Sequence, residues 1–409
     1  MGGAHPQRGL RAGAPRRLAG AVARGHRRLG SAGALALLLT ACSAGGSGGG
    51  GVAHNHGTPS IPAADGLPRM VVPADNPYTE AKFELGRALF HDTRLSGNGT
   101  QSCASCHEQA RAFTDGRPLA IGSTGQTHPR NAQPLANAAF HATLTWANPT
   151  LVTLEHQMEV PLFGTDPVEL GITDANMPEV LGRFAADAKY VELFAAAFGG
   201  GSGQITIGNI IKAIATFERG LTSADSRYDR YLAGKAVLTE SETRGMQLFM
   251  GEKAECFHCH GSFNFNDHIR YVGQGRVETP FHNTGLYNMG GTGAFPYPNR
   301  GLFEFTAQAA DMGAFRAASL RNVALTAPYM HDGSIAALEE VLDFYAAGGR
   351  NVTNGPLAGD GRRNPYKSDL IGNISLTAQD KTDLVAFLRT LTDDTLVTSA
   401  RFAKPSWLP

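Results

Sequence analysis

Two short stretches hold residues able to bind or react: "SCASCHEQARAFTDG" at 102–116 and "ECFHCHGSFNFND" at 255–267. Each contains the spacing Cys-x-x-Cys-His, as Cys103, Cys106 and His107 and again as Cys256, Cys259 and His260. Three chemistries compete for such a motif. Two Cys-x-x-Cys pairs can build a four-cysteine zinc site, but the histidine directly after each second cysteine has no place in that geometry. A thioredoxin-type disulfide needs a preceding strand and a βαβ context, which the flanking residues do not supply. Covalent haem uses every element: two thiols for the two vinyl groups and an adjacent histidine as proximal iron ligand. Each motif is therefore read as an attachment site for one c-type haem.

The elements around the motifs repeat. "YTEAKFELGRALF" at 78–90 has apolar residues at helical spacing (Phe83, Leu85, Leu89, Phe90) and leads through a loop to Cys103. "LTESETRGMQLFM" at 238–250 opens with Thr239 and, three residues on, Glu242, a helix-capping pattern. Both reach Gly-x-x-Leu-Phe (Gly86 to Phe90, Gly245 to Phe249), then a motif, then an aromatic, Phe113 or Phe263. Helix, loop, motif, aromatic in both halves predicts two related domains. Further helices are predicted in "NIIKAIATFERGL", "ALEEVLDFYAAG" and "TAQDKTDLVAFLRTLT", the last capped by Thr377. Convincing alternating strands are few. The expected fold is mainly α, two cytochrome-c-like domains with long irregular loops at 272–301 and 348–375, where Gly and Pro collect.

Residues 1–30 are rich in arginine and lack Asp and Glu, and "SAGALALLLTAC" then gives a short apolar run ending at Cys42. A basic segment followed by such a run is an export signal, too short to span a membrane. "LTAC" resembles the lipobox of bacterial lipoproteins, which implies cleavage before Cys42 and lipidation of its thiol. "SAGGSGGGG" follows as a flexible tether, and "HNH" at 54–56 reads as polar linker. The expected organisation is signal peptide 1–41, flexible linker 42–77, N-terminal domain 78–234, C-terminal domain 235–398 and tail 399–409. The five cysteines are then all assigned, with none left for a structural disulfide. Haem of this type is attached outside the cytoplasm, so the expected location is periplasmic, on a lipid anchor.

Lys plus Arg and Asp plus Glu are both 36. No basic field exists to attract phosphate, which excludes a nucleic-acid binder. Hydrophobic residues at 42% against 18% charged exclude wholesale disorder.

Over roughly 78–395 the chain resembles the bacterial di-haem cytochrome c peroxidase and MauG family. The resemblance rests on "SCASCH" with "AFTDG", "RNAQPLAN", "LEHQ" with "PLFGTDPVELG", "ECFHCHGSFNF" and "SLRNVALTAPYMHDGS". Within it, "LSGNGTQSCASCH", "LTWANP", "FHNTGLYN" and "FYAAGGR" look most like the MbnH group, which works with a copper-binding partner, MbnP. The resemblance implies His107 as proximal ligand of an N-terminal, peroxide-reacting haem and His260 as that of a C-terminal, electron-transfer haem. It implies Trp146 between the haems, Gln157, Glu169 and Pro161 on the open side of the first, and one calcium ion held by Asn131, Thr326 and Pro328. At the sixth-ligand position of the second haem, conventional peroxidases carry Met and MauG-like members Tyr. Here that position is Tyr345, with Met330 read as a packing residue. An oxygen donor favours ferric and higher states, whereas Met favours ferrous iron. His128 is read as a loop residue that leaves the first haem five-coordinate. The surface tryptophan that MauG uses, six residues before the second proximal histidine, is Ala254 here.

The implied function is an exported oxidoreductase that uses hydrogen peroxide to reach a bis-Fe(IV)-like state. It would then oxidise a tryptophan of an MbnP-like partner to kynurenine. A peroxidase fed by a small cytochrome, and a di-haem electron carrier, are the alternatives.

Overall fold

The structure, a computed structural model, describes residues 66–372 and 374–409. The export signal, Cys42, the Gly/Ser tether and "HNH" at 54–56 lie outside the described residues. Among these, the helices are α1 Glu80–His91, α2 Leu154–Phe163, α3 Met177–Ala185, α4 Ala188–Phe198, α5 Ile207–Gly220 and α6 Arg227–Leu232. They continue as α7 Glu240–Phe249, α8 Phe257–His260, α9 Phe303–Thr306, α10 Leu338–Ala346, α11 Ala378–Arg389 and α12 Asp394–Thr398. One antiparallel ribbon, β1 Asn351–Val352 with β2 Gly359–Asp360, is the only sheet described. The fold is thus mainly helical, and 261–302 and 364–377 run without a helix.

Each half is built on a close helix pair, α1 with α5 and α7 with α11. A glycine makes each crossing possible. A Cβ on Gly86 would stand 2.0 Å from the Ala213 carbonyl oxygen, and one on Gly245 would stand 1.9 Å from that of Asp383. Each helix then presents a phenylalanine to its partner: Phe90 meets Phe217 at 4.9 Å between ring centres, and Phe249 meets Phe387 at 5.3 Å. Thr239 caps α7 and Thr377 caps α11, both with reciprocal side-chain bonds at the third helical residue. The "GxxLF" repeat is therefore the sequence trace of a duplicated helix crossing.

Two asparagines repeat in the same way. Asn137 and Asn322 both adopt left-handed backbone, at φ +57° and +61°. Their N–H groups donate to Leu221 and Leu391 carbonyls, each at 2.9 Å, just past the ends of α5 and α11. Their side-chain oxygens accept from Ser223 N–H at 2.8 Å and Asp393 N–H at 2.7 Å. Asparagine tolerates this conformation because its short amide bonds locally.

Two hydrophobic cores form around these helix pairs, beside two smaller clusters. The first gathers Phe83, Phe90, Phe113, Phe184, Tyr190 and Phe217, and the second Phe249, Phe265, Leu384, Phe387 and Leu391. Leu396, Phe402 and Leu408, from the end of the chain, pack in the first core rather than the second. The end of the lead-in is also fixed: Asn76 is fully buried and donates to Glu155 Oε1 at 2.7 Å and the Lys212 carbonyl at 2.9 Å. No helix among the described residues is long and apolar enough to cross a membrane.

Candidate active site

Each Cys-x-x-Cys-His motif opens on its own cavity. Cys103, Cys106 and His107 line one of about 310 Å³, and Cys256, Cys259 and His260 line another of about 220 Å³. The two cysteine pairs therefore do not converge on one four-sulfur site, and no disulfide joins either pair. Burial pushes the Cys106 thiol up to about 11 and the Cys256 thiol to about 12, so both stand as neutral thiols in their cavities. Among the described residues no strand precedes either motif. What the donors fit is thioether attachment with an axial histidine.

Both histidines are set for that role by one bond. His107 Nδ1 lies 2.7 Å from the Phe113 carbonyl, and His260 Nδ1 lies 2.8 Å from the Phe265 carbonyl. A proton on Nδ1 satisfies each contact and leaves Nε2 with its lone pair for iron. Burial holds both imidazoles neutral. Phe113 and Phe265 each have positive φ, +65° and +52°, which turns the carbonyl back onto the histidine. The counterpart of Phe113 is thus Phe265. Phe263, the nearest aromatic in sequence, instead lies 5.2 Å from Phe140, ring centre to ring centre.

The open side of the first cavity is formed by α2 and the loop after it. Gln157 and Pro161, one turn apart on α2, both line the cavity. Pro161 cannot donate into the helix, and its carbonyl accepts from Leu170 N–H at 2.9 Å. That bond folds 164–172 back along α2 and brings Glu169 to the same cavity. The Glu169 carbonyl is held by Ser123 N–H at 2.8 Å. Its side chain keeps 34% of its area accessible, lining the cavity, and burial raises the carboxyl to about 7.

His128 also lines this cavity, so its loop reaches further in than sequence reading foresaw. Its Nδ1 accepts from Arg130 N–H at 3.0 Å, and its Nε2 stands 3.6 Å from Glu169 Oε1. Glu218 on α5 is a second carboxyl here: 5% accessible, one oxygen without a partner, and raised to about 8 by burial. Helical spacing from Ile210, Ile214 and Phe217 puts position 218 on the buried face, a signal sequence reading could have used.

Trp146 lines both cavities, and its indole N–H donates to the Asn131 carbonyl at 2.9 Å. Its ring lies 6.5 Å, edge-on, from His331, which stacks on Phe315 at 3.7 Å. Tyr345, on α10, lines the second cavity, and burial pushes its hydroxyl well up, with Cys259 and Cys256 adding to the rise. Met330 lines the same cavity from a turn with φ +72°. Asn131, Thr326 and Pro328 are also among the residues that line it. The Asn131 amide donates to the Arg117 carbonyl at 2.7 Å, which turns its oxygen the other way. Ala254 is buried against the second core and offers no surface outlet for electrons.

A family model described as di-haem cytochrome c peroxidase matches residues 80–237. The chain is 35% identical over 351 residues to cytochrome-c peroxidase IdrP1 of Denitromonas iodatirespirans, covering 82% of this chain and 88% of that one. It is 33% identical over 322 residues to the methylamine utilization protein MauG of Methylorubrum extorquens, covering 78% and 80%. Among solved structures, a MauG-like protein associated with microbial copper homeostasis superposes with a TM-score of 0.82 at 58% identity. The match covers 86% of this chain and 99% of that one. Two cytochrome-c-like domains, two cavities with one haem-binding motif each, and these relatives agree: the chain belongs to the di-haem cytochrome c peroxidase and MauG family, as a peroxidase-class oxidoreductase with two c-type haems.

Proposed function

We propose that this protein uses hydrogen peroxide to withdraw electrons from a partner protein, and that the target is a tryptophan of an MbnP-type copper-binding protein, converted to kynurenine. The observation that carries the reading is Tyr345, a half-buried phenol that lines the second cavity with His260. The 58% identity to a MauG-like protein associated with copper homeostasis supports the choice of partner. Bound haem supplies redox-active iron, held by His107 in the first cavity and by His260 with Tyr345 in the second.

The chain's own residues do the rest. Peroxide enters beside Gln157, whose amide orients it, and Glu169, whose carboxyl near 7 can take a proton from one peroxide oxygen and return it to the other. Pro161 keeps α2 from filling that space with a longer side chain. Trp146 is the aromatic group common to both cavities and carries an oxidising equivalent between them. The Asn131 side-chain oxygen with the Thr326 and Pro328 carbonyls offers three hard oxygen donors for a calcium ion, the remaining positions being filled by water. The domains divide at 234/235. Export and a lipid on Cys42 place the enzyme in the periplasm at a membrane surface.

Electron paramagnetic resonance of the oxidised protein, with mass spectrometry of the partner after peroxide, tests this. Tyr345→Phe should change the low-spin signal of the second haem and abolish partner oxidation. An unchanged signal in Tyr345→Phe, with loss of it in Met330→Leu, favours a peroxidase fed by a small cytochrome, because Met330 lines the same cavity.

A further inference from the structure

Three arginines are almost wholly buried: Arg219 at 3% accessible, Arg321 at 3% and Arg316 at 4%. Two have carboxylate partners. Arg219 meets Glu155 at 2.8 Å and Arg321 meets Asp229 at 2.8 Å. Among the described residues Arg316 has none within ion-pair distance. Its Nε donates to the Thr145 carbonyl at 2.9 Å, one terminal nitrogen to Gln133 Oε1 and the other to His141 Nδ1 at 3.2 Å. All three acceptors are neutral. A buried ion without a counter-ion costs several kcal/mol, so an isolated guanidinium is a poor structural device.

Its position indicates what offsets that cost. Arg316 lines both cavities, and its backbone N–H donates to the Trp146 carbonyl at 2.9 Å. Because His141 Nδ1 accepts from the guanidinium, its proton sits on Nε2. That atom is buried and has no partner, and His141, 6% accessible, lines the first cavity. A buried cation and, on the ring edge turned away from it, a free N–H donor thus both line the first cavity, where each can bond a carboxylate oxygen. Each haem carries two propionate carboxylates.

We propose that Arg316 is a shared counter-cation, binding a propionate of the haem in each cavity, with His141 Nε2–H as second donor on the first side. One positive charge then stabilises the reduced state of both centres, so their potentials are set together rather than independently. Arg316 acts as a positioning and tuning residue; it touches no peroxide in this assignment.

The holoprotein tests this by spectroelectrochemical titration and resonance Raman spectroscopy. Arg316→Gln should lower both ferric/ferrous midpoint potentials, Arg316→Lys should recover most of the shift, and His141→Phe should lower the first alone. Unchanged potentials in Arg316→Gln at full haem content, or a shift in only one, overturn the proposal. If Arg316→Gln fails to retain two haems, the wild-type protein decides. Its propionate-bending bands should shift on transfer to D2O, as bonds to exchangeable N–H require, and should ignore added formate. Bands insensitive to D2O, or displaced by formate as for an adventitious anion, reject it.

Discussion

His128 Nε2 stands 3.6 Å from Glu169 Oε1 in the lining of the first cavity, so a neutral imidazole and a carboxyl raised to about 7 share one wall. The pair is assembled from two loops, held by Ser123 N–H on the Glu169 carbonyl and by Arg130 N–H on His128 Nδ1.

Glu169 should impose a pH dependence with its midpoint near its own value, about 7. The ionised form is the proton acceptor, so the rate of reaction with peroxide should rise from pH 5.5 to 8. Glu169→Gln should flatten that rise and slow the reaction by ~10²–10⁴-fold. Stability moves the other way. The folded value lies above the ordinary 4.5, so the native state is favoured below that ordinary value and loses this contribution as pH rises towards about 7. Glu169→Gln should therefore melt relatively higher than wild type at pH 8 than at pH 5. Stopped-flow kinetics and calorimetry at both pH values check the two halves, and a midpoint retained in the variant would assign it to another group.

Neither His128 nitrogen is committed to His107's side of the cavity: one accepts from Arg130 and the other faces Glu169. His128→Ala should leave the high-spin resonance of the oxidised first haem in place. Conversion of a low-spin signal to a high-spin one in the variant would instead make His128 a ligand.

Both thiols of each motif line the cavity of their own histidine. Cys106→Ala should leave a single thioether in the first domain and move half of the pyridine haemochrome α-band to longer wavelength. A spectrum identical to wild type would contradict double attachment at that motif.

Gly245 faces the Asp383 carbonyl, where a Cβ would stand at 1.9 Å, whereas a Cβ on Gly182, an exposed position inside α3, meets nothing within 4 Å. Gly245→Ala should cost about 1–3 kcal/mol or more through overpacking of α7 on α11. Gly182→Ala should add about 0.5–1 kcal/mol through helix propensity. Denaturant unfolding of the two variants measures both, and equal effects would show that the crossing is not tight.

The helix pairs and haem motifs were legible because they rest on local signals: apolar spacing, capping pairs and contiguous Cys-x-x-Cys-His. The "GxxLF" repeat predicts the duplication, and the structure supplies its reason in the carbonyls facing Gly86 and Gly245. The Phe113 counterpart was misplaced at Phe263, because sequence spacing does not reveal that Phe265 carries the positive φ that aims its carbonyl at His260. Helices α2, α3, α4, α6, α8, α9 and α12 lie outside the segments predicted as helical. Arg316 and His141 are illegible as site residues for a different reason, and Glu218 shows in the sequence only as a buried helical position. Each gains its meaning from what it lacks, a partner in a buried place, and only tertiary structure defines that.

Leu396, Phe402 and Leu408 complete the first core although they follow every residue of the second. The first core is therefore closed by residues distant in sequence from its helices, with Phe402 set against Phe83. Phe402→Ala should loosen that core while leaving the contacts of the second intact.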